Sequence, residues 1–448
     1  MNPKYIVNTF TVSSFLIACA SLLTGCGNSN SDQRDQITRP VLGTAMGCFI
    51  DSPAGISYIS GGLNGVTDSQ GYFEYQLVNG EPQLIDFSFN GVEIGNALGK
   101  AIITPLDLSS PSSIDDLSSP SSIDDLYVIN ISRFLIMLDS DGDPSNGIEA
   151  SQTLIDGISQ FSWGVLDFTS NDFEFSPEII NIVADINSID TQNHSLPTIQ
   201  VAQAHLRSSL SCLSSGVYAG EFDGEDHGHY VMLLQHKRTD PFVFGDNELR
   251  EGVTSALIYS RDQDRLIGVV PQQGLAFNSD NSFIVGQAVN GTQFSGNLVD
   301  FSRIEDGGWS NQVEGGSGTF SGNKLAGDSS AIYRLAGAYG DDTPFDISDD
   351  TADNRGGITF DVFSDNRVYG ILMSTRGDQL ELNGTLTGNT IIVSSNEGTD
   401  LVIAFDRDGT DPLNSNVGLF GVSGFWGSWQ RGSESGGVVG TSCQLNFE

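Results

Sequence analysis

Asp139-Ser140-Asp141-Gly142-Asp143, with Glu149 beyond, is the segment best equipped for chemistry. Carboxylates at alternating positions, a turn glycine and a later glutamate suit a hard cation, since Ca2+ gathers roughly six to eight oxygen ligands. The spacing is not that of a standard EF-hand loop: the glycine comes fourth and the glutamate eleventh. The loop should follow the C-terminus of a helix, where the dipole disfavours negative charge. A structural Ca2+ held by Asp139, Asp141, Asp143 and Glu149 would remove that conflict. The competing reading is a solvated Asp/Gly/Pro turn closed by Asx hydrogen bonds.

Other groups are weaker. His227 and His229, with His236 beyond, could bind a transition metal, the first two sharing a side if extended, but Asp223–His229 has the composition of a hairpin turn. The acidic run from Asp346 to Asp353 reads as a solvated loop or a second cation site. Trp426 and Trp429 could line a ligand or sugar surface, or fill a core. Catalytic signals are poor: there is no G-x-S-x-G, H-E-x-x-H or G-x-x-x-x-G-K, and only five histidines. A non-enzyme is the expectation.

These residues sit on a chain of 448 residues with formal net charge −38, only 19 Lys+Arg and 53 glycines. Such an acidic exterior repels nucleic acid and anionic lipid, so neither is an expected partner. Charged residues are 17% and hydrophobic ones 38%, a globular balance. Glycine at this density, among Asn, Asp and Ser, implies many tight turns and a mainly β fold with a helical portion.

The first residues set the context. Lys4 precedes an apolar run, Tyr5–Leu23, and Leu23-Thr24-Gly25-Cys26 closes it. The stretch has the layout of an export signal and resembles the lipobox of bacterial lipoproteins. The resemblance implies cleavage before Cys26, acylation there and membrane anchoring. Gly27 after that cysteine resembles the outer-membrane sorting pattern of Gram-negative bacteria, without saying which side the protein faces. Residues 27–39 read as a flexible tether. In an exported protein Cys48, Cys212 and Cys443 remain to pair. Cys212 and Cys443 flank the C-terminal region, so a disulfide joining its first and last strands is expected; the alternative is reduced, buried thiols. Cys48 is then free and buried, or pairs differently.

Residues 41–108 read as a small β-sandwich. Its Thr67-Asp68-Ser69-Gln70-Gly71-Tyr72-Phe73 hairpin resembles the carboxypeptidase-regulatory-like, transthyretin-like modules of bacterial surface proteins. That family implies a structural or binding module without catalytic residues. LSSPSSIDD occurs twice in tandem, at 108–116 and 117–125, as in an exposed linker. Residues 109–211 should be mainly helical. Val128, Ile131, Leu135 and Leu138 make one apolar stripe, and weaker helices are expected over 177–186 and 197–210. Thr104–Leu108, the helices and Ala204-His205-Leu206 together resemble Gram-negative lipoproteins loosely described as adhesin-like.

Residues 212–448 should be all β and internally duplicated. Gly216–Gly220 matches Gly337–Gly340, Asp264–Gly268 matches Asn366–Gly370, and Asn290–Asn297 matches Asn383–Asn389. Two copies can close one barrel, the favoured arrangement, or stack as two sandwiches. Gly318–Gly322 resembles strands of transferrin-binding-protein-like surface barrels. The expected function is a lipid-anchored, adhesin-like binding protein. The alternatives are a solute-capture lipoprotein with a ligand in its barrel, and a periplasm-facing structural lipoprotein.

Overall fold

The computed structural model describes residues 41–51, 53–108, 122–144, 147–238, 248–273, 282–285, 291–313, 315–328, 330–341, 354–417 and 421–445. Cys26, the tether, most of the tandem repeat and the acidic run after Asp346 lie outside them. Among the described residues no helix is long and apolar enough to cross a membrane.

The fold is mainly β. Eight strands come first: β1 Leu42–Phe49, β2 Ser57–Ser60, β3 Leu63–Val66, β4 Tyr72–Val78, β5 Glu81–Pro82, β6 Leu84–Phe89, β7 Val92–Leu98 and β8 Ile102–Ile103. They form two four-stranded sheets, ordered β5-β4-β1-β8 and β3-β2-β6-β7. The turn before β4 forms because Asp68 Oδ1 accepts the N–H groups of Gln70 (3.0 Å) and Tyr72 (2.9 Å). Gly71 supplies φ +76°, costly for a side-chain-bearing residue. Alternation then buries Phe73 and Tyr75 against Phe49 and Phe87.

Four helices follow: α1 Leu126–Met137, α2 Gln152–Ile158, α3 Pro177–Ile189 and α4 Ile199–Ser214. Ser151, Ser176 and Thr198 cap α2, α3 and α4 by accepting backbone N–H bonds. α1 is not the one-stripe helix its periodicity suggested. Every residue from Val128 to Met137 is buried. Polar groups on its far side find partners far along the chain: Asn130 donates to the Phe168 (2.9 Å) and Ser170 (3.1 Å) carbonyls. Arg133 reaches the Pro197 carbonyl (2.7 Å) and Glu174 (2.9 Å). Helices and first sheets share one core, in which Phe89 packs on Phe134 and Trp163.

The remainder is two eight-stranded antiparallel meanders, not one closed unit. The first comprises β9 Gly216–Gly224, β10 Gly228–Arg238, β11 Arg250–Ser260, β12 Arg265–Gln273, β13 Ser282–Val285, β14 Thr292–Val299, β15 Arg303–Asn311 and β16 Ser317–Leu325. The second comprises β17 Tyr333–Gly340, β18 Gly356–Val362, β19 Arg367–Ser374, β20 Gln379–Thr387, β21 Thr390–Ser394, β22 Thr399–Asp406, β23 Gly424–Arg431 and β24 Glu434–Gln444. In each, the first strand pairs with the last. The second is a closed barrel, whereas the first is an eight-stranded sheet ending at β12 and β13.

The two meanders share a closure device. Trp309, on the seventh strand of the first, donates Nε1–H to the Asp223 carbonyl (3.0 Å) and meets Phe222 edge-on (5.9 Å). Trp429, on the seventh strand of the second, donates to the Gly340 carbonyl (2.9 Å) and meets Tyr339 edge-on (6.2 Å). Gly318 and Gly436, on the last strands, lie where a Cβ would strike each indole. Phe222 and Tyr339 are therefore equivalent, four residues off the sequence pairing of Tyr218 with Tyr339. The other two sequence matches join the fourth strand to the third, and the sixth to the fourth. Asn, Gly and Arg recur at hairpin turns throughout, so those short matches follow turn chemistry and not strand order.

Val217, Val231 and Leu233, on the outer faces of β9 and β10, pack against Ala338, Ile371 and Met373 of the second barrel. β9 and β10 are thus buried on both faces where the meanders meet back to back. At Gly357 a Cβ would strike Val217 and Val231, so this contact needs glycine.

Candidate binding site

The structure does not gather the predicted calcium ligands. Asp139 Oδ1 accepts the Glu149 N–H (3.0 Å), while Asp141 Oδ1 accepts the Asp143 N–H (2.8 Å). Among the described residues no three His, Cys, Asp or Glu side chains converge on a common point. The carboxylates instead tie the loop to itself, so the residues present do not make a ready cation cage. Asp139 is buried, and that desolvation pushes its carboxyl up to about 6, helped by Asp141 beside it and opposed by the Glu149 N–H.

The histidines are dispersed. His227 pairs with Asp262 (2.8 Å), His229 lies against Arg261, and His236 meets Ser208 (3.1 Å). His205 is part of a junction: its Nε2 lies 3.2 Å from Asp51 Oδ1, which also accepts from Ser209 (2.9 Å). Burial alone would depress the His205 imidazole, but the Asp51 carboxylate outweighs it and the pKa rises. Cys48 is free and buried, and burial pushes its thiol up to about 12.

These shifts set a pH dependence. Asp139 has a folded-state pKa above its unfolded value, so its contribution is fully present below about pH 4 and lost as pH rises through about 6. His205 has the same sign in a higher window. We expect Asp139→Asn to gain about 2 kcal/mol relative to wild type between pH 4 and 7, measured by urea unfolding at fixed ionic strength. Parallel stability curves for the two proteins would contradict this.

Among the described residues, a cavity of about 550 Å³ opens at one end of the closed barrel. Strand alternation builds it. On β22 the inward row is Thr399, Leu401, Ile403 and Phe405, polar only at its first position. On β23 Trp429 faces Leu401 and Arg431 faces Thr399. Trp429, Tyr339, Leu372 and Leu380 make the floor. Ser374, Thr399, Arg431 and Glu434 make the ring above it. Below the floor the interior is filled by Phe360, Phe405, Phe425 and aliphatic side chains. The indole bond to Gly340 fixes the floor, and Arg431 pairs with Glu397 at the rim (3.1 Å).

The sequence had singled out Trp429 and passed over the ring. Its signal was present: a polar residue opening an otherwise apolar inward row marks a barrel rim. Trp426 lies on the other side of β23 and takes no part. No protein-family profile matches this chain, and no curated protein matches it. Two solved structures are similar to it in part. Kievitone hydratase from Nectria haematococca is 10% identical with TM-score 0.19, over 53% of this chain and 93% of that one. A protein assigned as AttH from Nitrosomonas europaea is 9% identical with TM-score 0.19, over 52% of this chain and 94% of that one. Likeness at this level carries no functional argument.

Proposed function

We propose that the chain is a non-enzymatic, lipid-anchored cell-envelope protein, adhesin-like in class, that binds its target at the C-terminal barrel. Acylation of Cys26 anchors it in the outer membrane. The observation that carries the reading is the preformed cavity at the barrel mouth, a common place for ligand sites. The alternative of a solute held deep inside the barrel is disfavoured by the packed interior. Calcium, as a structural ion at Asp139–Glu149, is not required by this reading.

The test compares cells carrying the wild-type protein, cells lacking it, and cells carrying Cys26→Ala. Wild-type cells should incorporate labelled palmitate into the protein and attach to host or mineral surfaces more than cells lacking it. Cys26→Ala should abolish both label and attachment. Equal attachment by all three strains would overturn the reading.

A further inference from the structure

We infer that the barrel-mouth cavity is a saccharide site, taking a mono- or disaccharide without anionic groups, with Thr399 as its central hydrogen-bonding residue; this rests on the proposed binding role. Thr399 is 1% exposed, and its Oγ1 makes no hydrogen bond to any described residue. A buried hydroxyl without a partner costs stability, and Thr399 is one of the residues that line the cavity. A bound hydroxyl would supply what the protein does not.

The surrounding chemistry selects the class. Arg431 stands opposite Glu434 in register and pairs with Glu397 at 3.1 Å, and with Arg376 and Asp378 also in the lining the cavity carries two arginines against three carboxylates. An anionic ligand would meet this carboxylate excess and the field of a −38 chain. A purely apolar ligand would bury the polar ring unpaired. A ligand with an apolar ring face and many hydroxyls satisfies both layers: the face on Trp429, Tyr339 and the leucines, the hydroxyls on Ser374, Thr399, Arg431 and Glu434. At about 550 Å³ the cavity falls within the roughly 300–1,000 Å³ of small-molecule sites.

The experiment titrates the full chain with glucose, galactose, N-acetylglucosamine and their disaccharides by calorimetry, in parallel with Thr399→Val. At least one sugar should bind wild type. Thr399→Val, equal in shape, should bind it about tenfold or more weakly, while its thermal midpoint is unchanged or higher because an unpaired buried hydroxyl is gone. That opposite movement separates a binding role from a structural one. Binding unchanged in Thr399→Val, or no heat with any of these sugars, would overturn the inference. If the sugars fail while wild-type cells still out-attach cells lacking the protein, the saccharide inference falls alone. If attachment also fails, the binding role falls with it.

Discussion

Asp361→Ala is expected to lower the unfolding free energy by about 3–5 kcal/mol, the range for a buried pair that loses one partner. Asp361 is wholly buried on β18, and its Oδ1 accepts from Arg334 Nε at 3.1 Å. Its Oδ2 accepts the N–H groups of Gly327 and Asp328, both at 2.9 Å, in the segment joining the two meanders. Arg334 also donates to the Asp328 carbonyl at 3.1 Å. One carboxylate therefore fixes the connecting chain, the first strand of the barrel and its neighbour. Removal leaves a buried guanidinium without its counter-ion and two backbone donors unpaired, each with its own desolvation cost. Lys324 nearby is held well below the usual ammonium range by burial first and by Arg334 second, and Asp361 opposes that shift, so its removal depresses the ammonium further. A double-mutant cycle with Arg334→Ala, read by urea unfolding, should return a coupling of about 2–3 kcal/mol. A single-variant loss below about 1 kcal/mol would contradict this account of the clamp.

Opening the Cys212–Cys443 disulfide should have an effect of similar size. The bond spans 231 residues, with a Cα–Cα separation of 5.7 Å. It does not join the first and last strands of the region, as expected from sequence. Cys212 lies in the last turn of α4, and Cys443 lies on β24. α4 places Leu206, Leu210 and Leu213 in the core of the first meander. The bridge thus ties the helical part directly to the closed barrel across the intervening meander. Chain entropy for so long a loop predicts about 5 kcal/mol, with measured losses for native bridges of about 2–5. Cys443→Ser should lose that much under oxidising conditions and should not respond to dithiothreitol. Wild type should fall to the variant's level when reduced. Equal stability of the oxidised wild type and Cys443→Ser would contradict the prediction.

Local rules carried much of the fold from the sequence. The Thr67–Gly71 turn, the Leu84–Phe89 strand and α3 follow from Asx chemistry, alternation and a Ser-Pro start, all local causes. α2 was missed because Gln152–Ile158 is short and has only two buried residues, Leu154 and Ile158. α1 was misread as a one-stripe helix because Asn130 and Arg133 look solvent-seeking until their distant partners are in place, while Ser132 bonds back to the Val128 carbonyl. That the two copies do not close one barrel together was missed for a similar reason. The Trp309 and Trp429 closures depend on contacts with strands far away in sequence, which no short window contains. The binding-site ring was written in the alternation of Thr399–Phe405, yet its meaning required knowing that the strand closes a barrel. Thr104–Leu108 gained a physical meaning only in three dimensions. Asp107 accepts from Thr104 and Lys100, while Leu106 and Leu108 enter different cores.

Display at the envelope is the central claim, and protease treatment of intact cells tests it most directly. If the chain is anchored through Cys26 and acts outward, residues 212–448 should be lost from intact cells while a periplasmic marker survives. Because the folded barrel could resist digestion by itself, a cleavage site inserted within 109–121 supplies the readout. Cleavage there before permeabilisation is the predicted result. Protection of that site until the envelope is opened would contradict the account and place the binding end inside the cell envelope.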